Sequence, residues 1–139
     1  MEKVTTILDK KQTHFTKISP DCSVGHALFR MSTENTEYLT VLNEDEKFLG
    51  LLTEHDIARK TLFTNRSIEE ICVKEIMDTR IPFADVDDTV EHCMRLMKRY
   101  NTRYLPVFEG FNFRGVISNE DILEEAVYNR TSIFDDVVA

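Results

Sequence analysis

Gly50-Leu51-Leu52-Thr53-Glu54-His55-Asp56 returns 65 residues later as Gly115-Val116-Ile117-Ser118-Asn119-Glu120-Asp121. Upstream the correspondence continues at an offset of 66: Ser23-Val24 with Thr89-Val90, Ala27-Leu28 with Cys93-Met94, Met31 with Met97, Asn35 with Asn101, and Tyr38-Leu39-Thr40-Val41 with Tyr104-Leu105-Pro106-Val107. Self-similarity at a fixed period marks a supersecondary unit that buries its apolar face against its own copy. In a chain of 139 residues, 42% of them hydrophobic, two copies predict one pseudo-symmetric domain made of two halves.

The elements follow from hydrophobic spacing on either side of these motifs. Val24, Ala27, Leu28 and Met31 stand at i, i+3, i+4, i+7 behind Ser23, a good N-cap, and predict a core-facing helix ending near Glu34-Asn35. Thr89, Val90, Cys93, Met94 and Met97 predict the same helix in the second copy, with Met31, Met94 and Met97 read as core. The β-rich runs 38–42 and 104–108 read as strands, and Pro106 argues for a strand edge or end. Turn-like connections at 43–47 and 109–112 lead to return strands at 48–52 and 113–117, followed by helices at 56–62 and 121–127. With a short β-like stretch His14–Ile18 closed by Ser19-Pro20-Asp21, each repeat reads β-α-β-β-α.

Flanking segments complete the division. Val4, Ile7 and Leu8 predict a short helix covering an exposed edge of the core, and Ser67–Ile71 carries a short helical pattern in the join. The expected organisation is an N-terminal helix over 1–13, a first repeat over 14–64, a linker and lead-in helix over 65–79, a second repeat over 80–130, and a tail over 131–139. The tail has no clear period, which leaves fraying and docking on a partner subunit both open.

The bulk numbers exclude several classes of function. A net charge of −8 and a pI near 5.0 have the wrong sign for neutralising many nucleic-acid phosphates, although one small anion at a local donor site is compatible with them. Cys22, Cys72 and Cys93 are odd in number and widely spaced, and His14, His26, His55 and His92 show no ligand spacing, so neither a disulfide framework nor a metal site is expected. No G-x-S-x-G, Walker loop or Cys/His pairing is present, which argues against an enzyme. No run approaches the length of a membrane helix and the N-terminal residues form no apolar leader, so a soluble, cytoplasmic protein is expected.

The tandem β-α-β-β-α unit, with a Gly-apolar-apolar-Thr/Ser-x-x-Asp element opening its last helix, resembles the cystathionine β-synthase (CBS) domain pair. The resemblance runs from about His14 to Tyr128 and includes the Val-x-x-Ala/Cys-x-x-x-Met helix, the Leu-x-Val strand, and a lead-in, Lys74-Glu75-Ile76-Met77-Asp78. It implies an α+β fold with the two repeats packed about a pseudo-two-fold axis. It further implies a regulatory role, an adenosyl ligand (AMP, ADP, ATP or S-adenosylmethionine) in the cleft between repeats, a homodimer, and a regulated protein acting in trans.

Site residues follow by position. A carboxylate accepts two hydrogen bonds side by side, which suits vicinal ribose hydroxyls, so Asp56 and Asp121 are assigned to ribose. Thr53 and Ser118, three residues earlier, place a hydroxyl near helix N–H groups and are assigned to phosphate or ribose. The resemblance implies that the base is held by His14, Phe15 and Thr16 with Tyr38 and Leu39 in the first repeat. In the second it implies Arg80, Ile81 and Pro82 with Tyr104, Leu105 and Pro106. Arg80 is also a candidate phosphate partner, since its guanidinium offers a bidentate fork. Arg80 and Pro106 together point to the second repeat as the stronger site. Thr53-x-x-Asp56 and Ser118-x-x-Asp121 also have the form of helix capping boxes. Capping by itself makes no demand for Gly50 and Gly115 in register, which weighs toward a ligand. A pair that binds nothing and serves as a dimerisation scaffold is the alternative.

Overall fold

A computed structural model describes residues 2–10 and 16–127. Its contacts define two compact units, one of Phe15–Ile81 and one of Pro82–Ala139 together with Met1–His14. The first contains β1 (Lys17–Ile18), α2 (Val24–Thr33), β2 (Tyr38–Leu42), β3 (Phe48–Thr53), α3 (Glu54–Thr61) and α4 (Val73–Ile76). The second contains α1 (Val4–Lys10), β4 (Ala84–Asp85), α5 (Val90–Arg99), β5 (Tyr104–Glu109), β6 (Asn112–Ser118) and a helix over residues 119–127, here α6. Each unit holds a three-stranded sheet, ordered β1-β2-β3 or β4-β5-β6, with a parallel pair on one side and an antiparallel hairpin on the other. The α+β fold and the β-α-β-β-α repeat are therefore as the sequence predicts.

The repeats form these elements for matching local reasons. Ser23 Oγ accepts from the His26 N–H at 3.0 Å and Thr89 Oγ1 from the His92 N–H at 3.1 Å, capping α2 and α5. Both helices end before an asparagine in the left-handed region, Asn35 at φ 52° and Asn101 at φ 51°, a conformation asparagine tolerates. The core faces are Val24, Ala27 and Met31 on α2 and Val90, Cys93 and Met97 on α5. Burial pushes the Cys93 thiol up to about 12, as befits an apolar filler rather than a reactive group.

The flanking helices depart from a simple reading of the chain. Val4, Ile7 and Leu8 pack against β6, the outer strand of the second sheet, as core residues of the unit built on the second repeat and not of the first. Val73 and Ile76 of α4, which precedes the second repeat, lie in the core of the first. Each repeat is thus completed by the helix that leads into the other. The two segments are themselves a repeat, Val4-Thr5-Thr6-Ile7-Leu8-Asp9 against Val73-Lys74-Glu75-Ile76-Met77-Asp78, and they dock in the same way. Lys3 bridges to Thr89 and Cys72 to Ser23, so that each lead-in pairs with the N-cap of the helix it joins. Val90 N–H donates to the Glu2 carbonyl at 2.9 Å, and Val24 N–H to the Ile71 carbonyl at 2.8 Å.

Three further expectations change. Ser67–Ile71 is a turn, closed by the Glu70 N–H on the Ser67 carbonyl at 2.9 Å, with Ser67 Oγ accepting from the Glu69 N–H. Five residues cannot support a helical nucleus against such local side-chain competition. Met94 is half exposed, because the buried stripe of α5 is narrower than its apolar spacing suggests. Pro106 lies in the central strand, not at an edge. It is tolerated because β4 begins pairing only opposite Val107; in the first repeat, the Thr40 N–H at this position donates to the Thr16 carbonyl at 2.8 Å. The tail over 131–139 lies outside the described residues.

Gly50 is required by the docking of the α4 segment. Leu51 and Asp78 exchange reciprocal main-chain bonds of 3.1 and 2.8 Å, and a Cβ on Gly50 would stand 2.5 Å from the Asp78 carbonyl oxygen. Gly50→Ala is expected to lower stability by about 2 kcal/mol or more in denaturant unfolding, since backbone must move to accept it. In the other unit Lys10 donates to the buried Glu125 Oε2 at 2.7 Å, which holds that carboxyl below the ordinary 4.5. With the folded value below the unfolded one, this contact adds stability above about pH 4.5 that is lost as pH falls through the folded value. Lys10→Met should cost about 1–3 kcal/mol at neutral pH and flatten the acid limb of the stability profile.

Candidate functional site

In the unit of residues 15–81, Tyr38 stands opposite Thr53, Leu39 opposite Leu52 and Thr40 opposite Leu51. Because side chains alternate along a strand, Leu39, Val41 and Leu52 face the core while Tyr38, Thr40, Leu51 and Thr53 share the other face. At the end of β3 the chain turns into α3. Thr53 Oγ1 accepts from the Asp56 N–H at 3.1 Å, and the ladder extends one step further as the Glu54 N–H donates to the Glu37 carbonyl at 3.0 Å. Two N–H groups of the helix start are therefore occupied. What Thr53 keeps for a ligand is its hydroxyl hydrogen.

The carboxylate of Asp56 is the unusual group here. Asp56 is only 8% exposed, and among the described residues nothing donates a hydrogen bond to its side chain or pairs with its charge. Its oxygens are not among the fully buried unpartnered atoms, so they keep some contact with solvent and have unfilled acceptor capacity to offer a ligand. A second buried polar group lies on the adjoining strand. Thr40 is fully buried and its Oγ1 has no partner among the described residues. Sequence reasoning passed over Thr40; the available signal was its place opposite Pro106 in the repeat alignment. Thr16 is half buried beside it, and His14 and Phe15 lie outside the described residues.

The second unit repeats the frame with different chemistry. Tyr104 stands opposite Ser118, Leu105 opposite Ile117 and Pro106 opposite Val116. Ser118 Oγ accepts from the Asp121 N–H at 3.2 Å, and Asp121 Oδ2 accepts from the Ser118 N–H at 2.8 Å, a reciprocal capping box. The Asn119 N–H donates to the Arg103 carbonyl at 3.0 Å. Asp121 is thus already engaged where Asp56 is not. Proline at 106 has no N–H, and the carbonyl of Pro82, the counterpart of Thr16, receives no hydrogen bond among the described residues.

Arg80 and Ile81 belong to the unit of residues 15–81, whereas Pro82, Tyr104, Leu105, Pro106, Ser118 and Asp121 belong to the other. Arg80 is exposed, and its main-chain N–H donates to Asp78 Oδ1 at 3.0 Å. The argument from glycine also changes, because Gly50 is explained by the Asp78 carbonyl and not by a ligand. Among the described residues, no group of three or more His, Cys, Asp or Glu side chains is arranged to hold a metal ion, and no helix is long and apolar enough to cross a membrane.

Comparison with known proteins agrees with this architecture. The family model described as CBS domain matches residues 9–62 and 73–128. The CBS domain-containing protein YhcV of Bacillus subtilis is 24% identical over 129 residues, covering 93% of this chain and 91% of its own length. The Methanocaldococcus jannaschii protein MJ1404 is 28% identical over 134 residues, 88% of this chain, and the chain spans only 31% of its length. A crystal structure of the CBS domain NE2398 superimposes with a TM-score of 0.86 at 34% identity, covering 91% of this chain and 99% of that one.

The unequal state of the two aspartates gives a ligand-independent test. Asp121→Ala should lower stability by about 1 kcal/mol through loss of a cap. Asp56→Ala, which leaves the Thr53 cap in place and removes a carboxylate without a partner among the described residues, should leave the thermal midpoint unchanged or raise it. Paired thermal melts without nucleotide decide the matter.

Proposed function

The chain belongs to the CBS domain family, and from that premise we propose that it is a regulatory module that senses an adenosine-containing nucleotide and modulates a partner protein. The carboxylate of Asp56, on a residue only 8% exposed and without a hydrogen-bond partner among the described residues, carries this reading. Two adjacent hydroxyls of a ribose supply two donors to one carboxylate, and a carboxylate out of bulk water gains most from them. The Thr53 hydroxyl hydrogen, at the same helix start, donates to ribose or phosphate. Thr16 and Leu39 hold the base by main chain and Tyr38 by apolar contact, and the Thr40 hydroxyl gives that region a polar contact for its edge.

The first repeat is then the principal site, reversing the preference drawn from Arg80 and Pro106. In the second repeat, Asp121 Oδ2 already accepts from the Ser118 N–H, so it meets a ribose with less unfilled acceptor capacity than Asp56. The carbonyl of Pro82 is the group there best suited to accept from an exocyclic amine, with Tyr104, Leu105 and Pro106 alongside. The protein acts as a homodimer, and its effect is exerted on a separate protein or on further domains. The breadth of the match to MJ1404, which covers 88% of this chain but 31% of that protein, supports a module that works in company. A ligand-free scaffold is the competing reading, favoured where capping already occupies the site groups, as at Ser118 and Asp121.

Calorimetric titration with AMP, ATP, S-adenosylmethionine and 2′-deoxy-AMP separates the two. Sensing predicts binding that weakens on loss of the 2′-hydroxyl, by roughly tenfold for one lost charge-assisted bond. It also predicts a larger loss in Asp56→Asn than in Asp121→Asn. Absence of heat with every adenosyl compound would leave the scaffold.

A further inference from the structure

The two repeats differ in donor chemistry at one strand position, Thr40 in the first and Pro106 in the second. Thr40 stands in the middle of β2 between the core residues Leu39 and Val41, and its side chain lies on the opposite face, with Tyr38 and Thr53. It is fully buried and its Oγ1 meets no hydrogen-bond partner among the described residues, so one donor and one acceptor function are both unmet. Its main chain acts on the same region. The Thr40 N–H donates to the Thr16 carbonyl at 2.8 Å and fills one of that oxygen's two acceptor positions. Pro106 has neither an N–H nor a hydroxyl, and the Pro82 carbonyl, the counterpart of Thr16, receives no hydrogen bond among the described residues.

We propose that this position sets which purine each repeat accepts: the first takes a 6-oxopurine nucleotide as well as a 6-aminopurine one, and the second takes the 6-amino form alone. Exchanging the exocyclic amine for a carbonyl oxygen replaces a donor by an acceptor while the base keeps its size. A threonine hydroxyl meets either group, because it accepts from the amine and, turned about its own bond, donates to the oxygen. A main-chain carbonyl meets only the amine; set against a carbonyl oxygen, it leaves two acceptors facing one another without a hydrogen between them. Discrimination is strong where the wrong ligand leaves a polar group unpaired and weak where it does not. Valine would fill nearly the same space as Thr40, so packing accounts for the size of this side chain and not for its hydroxyl. The inference rests on the reading of Asp56 and Asp121 as ribose partners and adds to it the class of base that each repeat takes.

Calorimetric titration of the full chain with AMP, IMP, ATP, ITP and S-adenosylmethionine tests it, in Asp121→Asn to read the first repeat and in Asp56→Asn to read the second. The first repeat is expected to bind the 6-amino and 6-oxo members of a pair within about threefold of one another, and the second to prefer the 6-amino member by about tenfold or more. Adding Thr40→Val to Asp121→Asn should weaken the 6-oxo ligand about tenfold and the 6-amino ligand less, since the Thr16 carbonyl keeps a second acceptor position for an amine. The same change removes a buried unmet hydroxyl, so the thermal midpoint without ligand should stay or rise. A threonine of purely structural value would lower the midpoint and leave the ratio of the two affinities alone. Three results overturn the inference and leave nucleotide sensing standing: a first repeat that binds AMP, ATP or S-adenosylmethionine and rejects both IMP and ITP, a ratio indifferent to Thr40→Val, or a second repeat that takes IMP as readily as AMP. A first repeat that binds none of these compounds overturns both.

Discussion

The reciprocal pair of main-chain bonds between Leu51 and Asp78 is the constraint on which the first unit depends. It draws the end of the α4 segment onto β3 so closely that a side chain at Gly50 has no room. With the segment held there, Val73 and Ile76 can close the core over the sheet, and Ile71 and Cys22 offer main-chain groups to Val24 and Val73. The sheet and α2 do not supply this closure themselves, because three short strands and one amphipathic helix leave part of their apolar surface uncovered. Val4, Ile7 and Leu8 do the same for the second unit. The repeat is therefore a unit of sequence but not by itself a complete unit of packing.

The same economy explains the state of the two candidate sites. At the start of each last helix, the available polar groups serve either the helix or a ligand. In the second repeat Ser118 and Asp121 satisfy one another in both directions. In the first, Thr53 caps the helix alone and the Asp56 carboxylate has no partner among the described residues. Thr40 adds another buried group without a partner. A buried polar group without a partner is unfavourable by about 1–3 kcal/mol, and a folded chain rarely keeps one without a use for it.

Much of this was legible in the chain. The stripe Val24, Ala27, Met31 and its copy, the capping Ser23 and Thr89, and the paired hairpins are local signals, and the structure realises each of them. The partner of a lead-in helix is not a local signal. Val4, Ile7 and Leu8 announce a helix with an apolar face, but periodicity carries no address, and only the 69-residue correspondence with Val73, Ile76 and Met77 hints that both helices dock alike. Gly50 misled for a related reason. Glycine reports that something comes near, and the neighbour was the backbone of residue 78 rather than a ligand. Pro106 misled because strand rules assume full-length neighbours, while β4 is two residues long. Burial of Asp56 and its lack of a partner are properties of the assembled unit, so no motif could display them.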